Sequence, residues 1–333
     1  DRATSVEFVT FDGGTPVAIS LLLNDAPVAV ADSGSVAEDG TLTIPLTSLL
    51  ANDTDADILE GNPLGETLTI TSVAGAVGGT VAIVDGNVVF TPAANFTGAA
   101  SFTYTVEDAH GATSTGTVSV TVTAVNDTPT ASAASASGSE DAAITGTVVG
   151  NDLDGDALTY ALVNPVAGLT LNENGTWSYN PAAHQGLGAG ETATVTFQYT
   201  ANDGTATSAP ATVTITVNGV NDAPVVAAPV VLAALAEDGT RVITLAQLLA
   251  GATDVDGDAL SVTGLSASSG TLVDNEDGTW TFTPAANDTT SVTFSYSVSD
   301  GTASVAQTAT LDLTAVNDAP VVAAPVVLAA LAE

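Results

Sequence analysis

Ala211-Thr212-Val213-Thr214-Ile215-Thr216-Val217 alternates apolar or small side chains with threonine, one residue at a time. Successive side chains of a β-strand point to opposite faces, so this period of two places the apolar residues on one face. The run 117–122 alternates in the same way, and helical spacing of apolar residues is scarce along the chain. These patterns predict an all-β fold in which each strand buries one face.

Four residues beyond this strand begins Asn221-Asp222-Ala223-Pro224. The same Asn-Asp-x-Pro pattern begins at Asn24, Asn126 and Asn317, at intervals of 102, 95 and 96 residues. Proline ends a strand's hydrogen-bond ladder and fixes φ, so each copy predicts a junction between domains of a tandem array. The predicted organisation is the end of an upstream repeat at 1–23, complete repeats at 24–125, 126–220 and 221–316, and the first strand of a fourth repeat at 317–333. We therefore expect the chain to be a segment of a longer protein.

Each complete repeat contains seven short apolar runs with turn residues roughly every 8–12 positions, which predicts a seven-stranded Greek-key β-sandwich. Aromatic side chains recur at the same parity of the fifth and sixth runs, and we interpret them as core residues. They include Phe90, Phe102, Tyr104, Trp177, Phe197, Tyr199, Trp280, Phe294 and Tyr296, with Val89 beside Phe90. Asp85-Gly86, Asn174-Gly175 and Asp277-Gly278 predict tight hairpin turns.

The charge of the chain excludes several classes of partner. Only Arg2 and Arg241 are basic, against 38 Asp and Glu, and the formal net charge is −36. Such a chain cannot neutralise phosphates, so we expect no nucleic-acid partner. No run of eighteen apolar residues occurs in the chain, so we expect no membrane insertion. Cysteine is absent, which excludes a disulfide framework and thiol chemistry and is compatible with an extracellular location.

The acidic residues concentrate in loops that the alternating strand directions bring to the ends of each sandwich. The loop after the second strand and the aspartate after the sixth strand share the end that faces the preceding junction, while a glutamate after the first strand faces the following one. The predicted metal ligands are Asn24, Asp25, Asp53, Asp55, Asp57 and Asp108 at the upstream junction; Glu38, Asn126, Asp127, Asp152, Asp154, Asp156 and Asp203 at the first junction; and Glu140, Asn221, Asp222, Asp254, Asp256, Asp258 and Asp300 at the second junction. Hard oxygen ligands without His or Cys are typical of calcium sites, so calcium is the predicted cofactor.

These acids admit two alternative interpretations. Surface acids often serve only solubility, but they would then be scattered over the strands, whereas here they occupy loops at matching positions. Asp152-Leu153-Asp154-Gly155-Asp156 imitates the start of an EF-hand loop. The glutamate required at position twelve is missing, since Val163 stands there, and the segment continues as a strand.

The order of Glu-Asp-Gly at 38–40, Asp-x-Asp-Gly-Asp, Asp277-Gly-Thr-Trp-Thr-Phe-Thr-Pro284 and the Asn-Asp-x-Pro junctions resembles bacterial cadherin-like tandem repeats, including the VCBS-type repeats of giant repetitive (RTX-type) surface adhesins. The resemblance covers nearly the whole chain. It implies tandem Ig-like or cadherin-like β-sandwiches arranged end to end, with calcium at the junctions. It departs from cadherins at 92–98, where no acidic triplet precedes the sixth strand.

The resemblance implies a calcium-stiffened extender, or stalk, in a bacterial cell-surface or secreted adhesin, with neighbouring repeats as partners. One alternative is an adhesive module that makes homophilic or carbohydrate contacts, and its partners would be other surface proteins or the same protein on another cell. A second alternative is a subunit of an extracellular filament. We do not expect an enzyme, because His110 and His184 each occur in one repeat and no catalytic motif is found. Gly186, Gly188 and Gly190 are interpreted as a flexible loop.

Overall fold

The structure is a computed structural model that describes residues 24–56 and 67–320, together with the backbone of residues 8–9 and 17–18. The predicted hairpin of the upstream repeat, the loop residue Asp57 and most of the predicted fourth repeat lie outside the described residues, apart from those two backbone pairs. Contacts divide the chain into two compact units. One contains Asp1–Thr130, Gly150–Thr159 and Ala201–Ala209, and the other contains Ala131–Val149, Tyr160–Thr200 and Pro210–Glu333.

The first unit contains one β-sandwich formed by a four-stranded and a three-stranded sheet. Its strands are β1 (Phe8–Val9), β2 (Val17–Ala18), β3 (Asp32–Ala37), β4 (Leu42–Pro45), β5 (Thr69–Val77), β6 (Gly79–Val84), β7 (Asn87–Pro92), β8 (Gly98–Glu107) and β9 (Thr113–Thr123), and a single-turn helix α1 (Leu46–Leu49) follows β4. The sheets have the orders β3-β9-β8-β5 and β4-β7-β6, and β1 pairs separately with β2. Strand β3 is parallel to β9, as the alternating directions of seven strands require.

The chain between the sandwich of the first unit and Ala223 contributes strands to both units. They are β10 (Thr130–Ala131), β11 (Ala134–Ser139), β12 (Ile144–Thr147), β13 (Gly150–Asn151), β14 (Thr159–Leu162), β15 (Leu169–Leu171), β16 (Thr176–Tyr179), β17 (Thr192–Asn202) and β18 (Ala211–Asn218), with a 3-10 helix at Ala182–His184. The sheet orders are β11-β18-β17-β14 and β12-β16-β15. They repeat the order of the first sandwich.

The second unit also contains the last sandwich. Its strands are β19 (Val230–Ala236), β20 (Arg241–Thr244), β21 (Ser261–Ala267), β22 (Thr271–Asp274), β23 (Thr279–Thr283), β24 (Val292–Ser299) and β25 (Ser304–Thr314), and helix α2 (Leu245–Leu248) follows β20. The sheet orders are β19-β25-β24-β21 and β20-β23-β22. The predicted class of tandem seven-stranded β-sandwiches is confirmed.

The cores are built from the predicted alternation. Strand β18 buries every second residue from Ala211 to Val217 and leaves threonines partly exposed. Aromatic pairs join the two sheets: ring centroids lie 5.9 Å apart for Phe90 and Phe102, and 5.1 Å apart for Phe282 and Phe294. The core interpretation is correct, with the difference that Val88 rather than Val89 is fully buried beside Phe90.

The predicted tight hairpin is correct only at Asp85-Gly86. Both residues have positive φ, 48° and 77°, and Val84 pairs with Asn87 across a two-residue loop. At the other two positions the loop is one residue longer, because the Asn172 N–H donates to the Thr176 carbonyl at 2.9 Å and the Asn275 N–H donates to the Thr279 carbonyl at 3.0 Å. There the Asn174 and Asp277 side chains each accept an N–H two residues on, at 3.0 Å, which stabilises a wider turn.

A buried tyrosine of the sixth strand bonds a nearby backbone carbonyl. In the first sandwich this carbonyl precedes the first strand, and in the last sandwich it follows the second strand. The Tyr104 hydroxyl donates to the Val30 carbonyl at 2.8 Å, and the Tyr296 hydroxyl donates to the Leu248 carbonyl at 2.8 Å. These contacts fix the backbone next to the acidic loops. No helix within residues 24–56 and 67–320 is long and apolar enough to cross a membrane.

Candidate metal centres at the Asn-Asp junctions

The acidic loop of the first junction is folded by its own first carboxylate. Asp152 Oδ1 accepts the N–H groups of Asp154 at 3.0 Å and Asp156 at 3.2 Å. Gly155 allows this tight path because its φ is +81°. One ligand oxygen from each of the three aspartates then lies within 4.8 Å of the others. The spacing Asp-x-Asp-x-Asp thus forms a cluster of three carboxylates.

The Asn-Asp pair of the first junction is bonded to this cluster and to the loop after the sixth strand. The Asp127 N–H donates to Asp154 Oδ2 at 2.7 Å. The Asn126 side-chain amide donates to Asp203 Oδ2 at 3.0 Å, while Asp203 Oδ1 accepts the N–H groups of Thr205 and Ala206 at 2.6 Å. The structure therefore brings together the junction, the acidic loop and Asp203 as the strand directions predicted.

Glu38 joins the first junction from the end of strand β3. Its side chain is only 6% exposed, and its Oε1 accepts the Val125 N–H at 2.9 Å. Glu38 also lines a cavity of about 410 Å³ together with Asp154, Asp156 and Asn126. Asn95, Thr97, Ala124 and Leu153 complete its walls.

The second junction repeats the geometry of the first. The Asp222 N–H donates to Asp256 Oδ2 at 2.7 Å, and the Asn221 amide donates to Asp300 Oδ2 at 3.0 Å. Asp254 Oδ1 accepts the N–H groups of Asp256 and Asp258 at 3.0 and 3.2 Å, and these three carboxylates also lie within 4.8 Å of one another. The predicted residues Asn221, Asp222, Asp254, Asp256, Asp258 and Asp300 are thus assembled in one place.

Glu140, at the end of β11, is covered by the long loop between β16 and β17, whereas no described residue of the shorter matching loop at 93–97 donates to Glu38. Its side chain is 1% exposed, and its two oxygens accept the Val220 N–H at 2.8 Å and the Leu187 N–H at 3.1 Å. The Gln185 side chain donates to the Glu140 carbonyl. The interpretation of this glycine-containing loop as merely flexible is wrong, because its backbone binds a buried carboxylate.

The electrostatics of the clusters disfavour the ionised state of some carboxyls and favour that of others. Loss of solvent, followed by the charge of Asp154, raises the pKa of Asp127 above its ordinary value. Burial and the neighbouring charges of Asp141 and Asp256 raise the pKa of Asp222 in the same way. The pKa of Asp300 is lowered instead, chiefly by the hydrogen bond from the Asn221 amide. Each junction therefore concentrates negative charge around its Asn-Asp pair.

Several carboxylate oxygens at the clusters have unused acceptor capacity. Asp152 Oδ2, Asp254 Oδ2 and Asp256 Oδ1 are buried and accept no hydrogen bond from any described residue. Unsatisfied buried acceptors are costly unless a cation or water meets them. Arg241, the basic side chain within the part of the chain that the structure describes, donates to the Ala233 carbonyl and not to these oxygens. An all-oxygen donor set with unsatisfied carboxylates fits a calcium ion.

The upstream junction shows part of the same arrangement. The Asn24 amide donates to Asp108 Oδ2 at 3.0 Å, and Asp108 Oδ1 accepts the N–H groups of His110 and Ala112 at 2.9 Å. Asp25 lies exposed beside Asn24, and Asp55 is 1% exposed. Asp57 lies outside the described residues, so its placement in this junction stays a prediction.

The sequence pattern aligns Asp53 with Asp152, and the structure shifts this alignment by two residues. Val28 bridges Thr54 as Val225 bridges Thr253, so Asp55 rather than Asp53 corresponds to Asp254. Asp53 instead holds the segment that leads into β3, because its Oδ1 accepts the Val30 N–H at 2.7 Å. The same oxygen lies 3.1 Å from the Tyr104 hydroxyl oxygen.

Two contributors to the sites were missed in the sequence. The first is Asp32, whose Oδ1 accepts the Asn52 amide at 3.1 Å and whose Oδ2 lies 2.9 Å from the Tyr104 hydroxyl oxygen. The second is the loop that covers Glu140. A signal for this loop does exist, because Gly219 stands where the other repeats have Ala124 and Ala315.

Family comparisons divide the chain at the same Asn-Asp motifs. Residues 24–121 match the bacterial Ig domain family, residues 126–219 match the bacterial cadherin-like domain family, and residues 220–314 match the cadherin-like domain family. Domains of these types are typically non-enzymatic structural or adhesion modules of extracellular or surface proteins, and cadherin-like domains generally bind calcium. No curated protein matches the chain significantly in sequence.

Solved cadherin fragments share the fold. A PcdhgB3 EC1-4 structure has a TM-score of 0.50 and 16% identity, with coverage of 88% of this chain and 76% of that one. Human CDH23 EC21-23 has a TM-score of 0.50 and 15% identity, with coverage of 87% and 100%. At such identities the likeness concerns the fold alone. The family matches show a bacterial Ig domain, a bacterial cadherin-like domain and a cadherin-like domain in tandem over residues 24–314.

Proposed function

We propose that the chain is a calcium-stiffened extender segment of a bacterial cell-surface or secreted adhesin, which holds a distal binding region away from the cell. In this proposal the extending units are the repeats at 24–125, 126–220 and 221–316. Their partners are the neighbouring repeats of the same long chain, and their location is extracellular.

The observation that supports the proposal most is the identical bonding of the Asn-Asp pair at two junctions. In each, the aspartate N–H lies 2.7 Å from a loop carboxylate, and the asparagine amide lies 3.0 Å from an aspartate after the sixth strand. Linker backbone and loop carboxylates therefore occupy one small volume. Order in the linker then depends on whether these carboxylates can remain close together.

Calcium supplies the positive charge that offsets their mutual repulsion. The loop residues with unsatisfied oxygens, Asp152 at the first junction and Asp254 and Asp256 at the second, would hold it with the other carboxylates of each cluster. Two like charges about 5 Å apart repel by on the order of 1 kcal/mol even in water. An ion that binds only the ordered junction stabilises it by mass action. Weak extracellular calcium modules work at roughly 0.1–1 mM, so the junctions would be ordered outside the cell and loose before export.

Small-angle X-ray scattering of the whole chain tests the extender function. In calcium, wild-type protein should have a larger and better-defined maximum dimension than in a chelator, because the junctions become ordered. Asp154→Ala removes one carboxylate of the first cluster and the acceptor of the Asp127 N–H. This variant should show only part of the calcium-dependent increase, while circular dichroism stays unchanged.

Asp312→Asn is the matched control, because Asp312 lies on β25 and bonds Ser291 rather than a junction residue. It should behave as wild type. A maximum dimension that is the same in calcium and in chelator would rule out the extender function. A calcium-dependent rise in mass to that of a dimer would favour the adhesive alternative instead.

A further inference from the structure

The first and second junctions share their aspartate geometry but differ at the glutamate that reaches them from the preceding repeat. Glu38 uses one oxygen for the Val125 N–H, and no described residue donates to its Oε2. This side chain is only 6% exposed, yet it lines the cavity shared with Asp154 and Asp156. One oxygen of Glu38 is therefore available to a ligand in that cavity.

At the second junction the corresponding oxygen is already used. The Leu187 N–H donates to Glu140 Oε2 at 3.1 Å, while the Val220 N–H donates to Oε1 at 2.8 Å. The loop that supplies the Leu187 amide also lies against the acidic loop of the next repeat. A Cβ on Gly188 would be 3.9 Å from the Cβ of Asp256, so the backbone of 185–188 occupies the space beside the cluster.

Gly219 makes this arrangement possible. A Cβ at position 219 would overlap the carbonyl oxygens of Leu187 and Gly188. The Gly219 N–H also donates to the Glu191 carbonyl at 2.9 Å, which ties the end of the loop to the linker. At the first junction the matching position is Ala124, which lines the open cavity. Glycine at this position thus occurs with the loop packed against Glu140, and alanine occurs with the open cavity beside Glu38.

We propose that the two junctions hold calcium differently. Glu38 is a calcium ligand at the first junction. At the second junction Glu140 has a structural role: it fixes the loop 185–188 and the linker and does not bind the metal. This inference rests on the proposed calcium function and specifies its ligands. Glu140 is 1% exposed and each of its oxygens already accepts a backbone N–H, so a cation has no open approach to this carboxylate. Glu38 instead lines an open cavity and has one oxygen to which no described residue donates. The second junction accordingly depends on its aspartates alone.

Calcium chloride titrations of the full chain, followed by hydrogen exchange and mass spectrometry, test the difference. Peptides that contain Val125 and Val220 report the two junctions separately. Glu38→Gln keeps an acceptor for the Val125 N–H but removes the charge, and should raise the calcium midpoint of the first junction about tenfold or more, the effect of losing one charged interaction. Glu140→Gln should shift the midpoint of the second junction less than about threefold, because it removes no ligand.

Two further measurements distinguish a structural role of Glu140 from metal binding by Glu140. In chelator, Glu140→Gln should speed exchange of the 185–188 segment about tenfold, since the Leu187 N–H loses its charged acceptor. Gly219→Ala should displace this loop and release one Glu140 oxygen. In that background Glu140→Gln should shift the calcium midpoint of the second junction about tenfold, a sensitivity that the wild-type background lacks.

A tenfold or larger shift of the second junction by Glu140→Gln in the wild-type background would overturn the inference. An unchanged first junction in Glu38→Gln would overturn it as well. If neither junction of the wild-type chain responds to calcium at any concentration, the proposed function fails and the inference fails with it. The three results are distinguishable in one set of titrations.

Discussion

Asp256→Asn should have opposite effects on the second junction with and without calcium. Asp256 belongs to the cluster with Asp254 and Asp258, and its Oδ2 accepts the Asp222 N–H at 2.7 Å. Asparagine keeps an acceptor for that N–H and removes only the charge. The substitution therefore isolates the electrostatic contribution of one carboxylate.

The magnitude follows from the cluster geometry. Ligand oxygens of Asp256 and Asp254 lie within 4.8 Å of each other, so their repulsion is at least about 0.9 kcal/mol at the dielectric constant of water. Physiological salt reduces this to about 0.5 kcal/mol. In chelator the variant should stabilise the junction by about this amount, and Asp258 adds in the same direction. In calcium, each tenfold loss of affinity destabilises the junction by about 1.4 kcal/mol at saturating ion.

Hydrogen exchange of the peptide around Val220 measures both free energies in the full chain. Asp277→Asn is the control: Asp277 accepts the Thr279 N–H in a turn outside the junction, and asparagine fits that turn equally well. The control should be neutral in both conditions. A change of the same sign with calcium and with chelator would refute the electrostatic reasoning.

Three further predictions concern the folds and the acidity of the junctions. Tyr104→Phe leaves the Val30 carbonyl without its buried hydroxyl donor, so urea unfolding monitored by exchange in β8 should show a loss of about 1–3 kcal/mol. Phe294→Ala removes the edge contact with Phe282, whose ring centroid lies 5.1 Å away. It should lower the free energy of unfolding of the last sandwich by about 3–5 kcal/mol, as measured by urea unfolding followed by Trp280 fluorescence. In chelator, acidification from pH 7 should first stabilise the second junction, because Asp222 has a raised pKa and its ionised form is disfavoured in the folded state. The contribution of Asp300, whose pKa is lowered, should be lost as the pH falls from the ordinary carboxyl pKa through the lowered one. A thermal midpoint that falls steadily from pH 7 would contradict the direction given for Asp222.

The fold was predictable because each strand of a β-sandwich buries every second side chain, which gives the sequence a period of two. The alternation from Ala211 to Val217 is the burial pattern of β18, and the aromatic residues of the fifth and sixth strands meet across the sheets as expected. The junctions were predictable for a similar reason. Alternating strand directions fix which loops share an end, and this places Asp203 beside Asn126 although 77 residues separate them.

The unpredicted features depend on contacts that spacing does not encode. Asp53 and Asp55 are two aspartates only two positions apart, so the sequence does not show which of them corresponds to Asp254. The bridge between Val28 and Thr54 identifies Asp55 as the corresponding residue. The loop that bonds Glu140 has no periodic pattern. Its order comes from local turns, such as the bond from the Leu187 N–H to the His184 carbonyl at 3.2 Å, together with the bonds to Glu140. Its one local mark is Gly219 in place of alanine.

The most direct test of the calcium junctions is a crystal structure of the chain grown in calcium, with anomalous diffraction measured to locate the ion. Anomalous peaks should appear at both clusters, about 2.3–2.6 Å from carboxylate oxygens of Asp152, Asp154 and Asp156 and of Asp254, Asp256 and Asp258. Clusters that contain only water at saturating calcium, with the Asn126 and Asn221 linkers ordered all the same, would contradict the account.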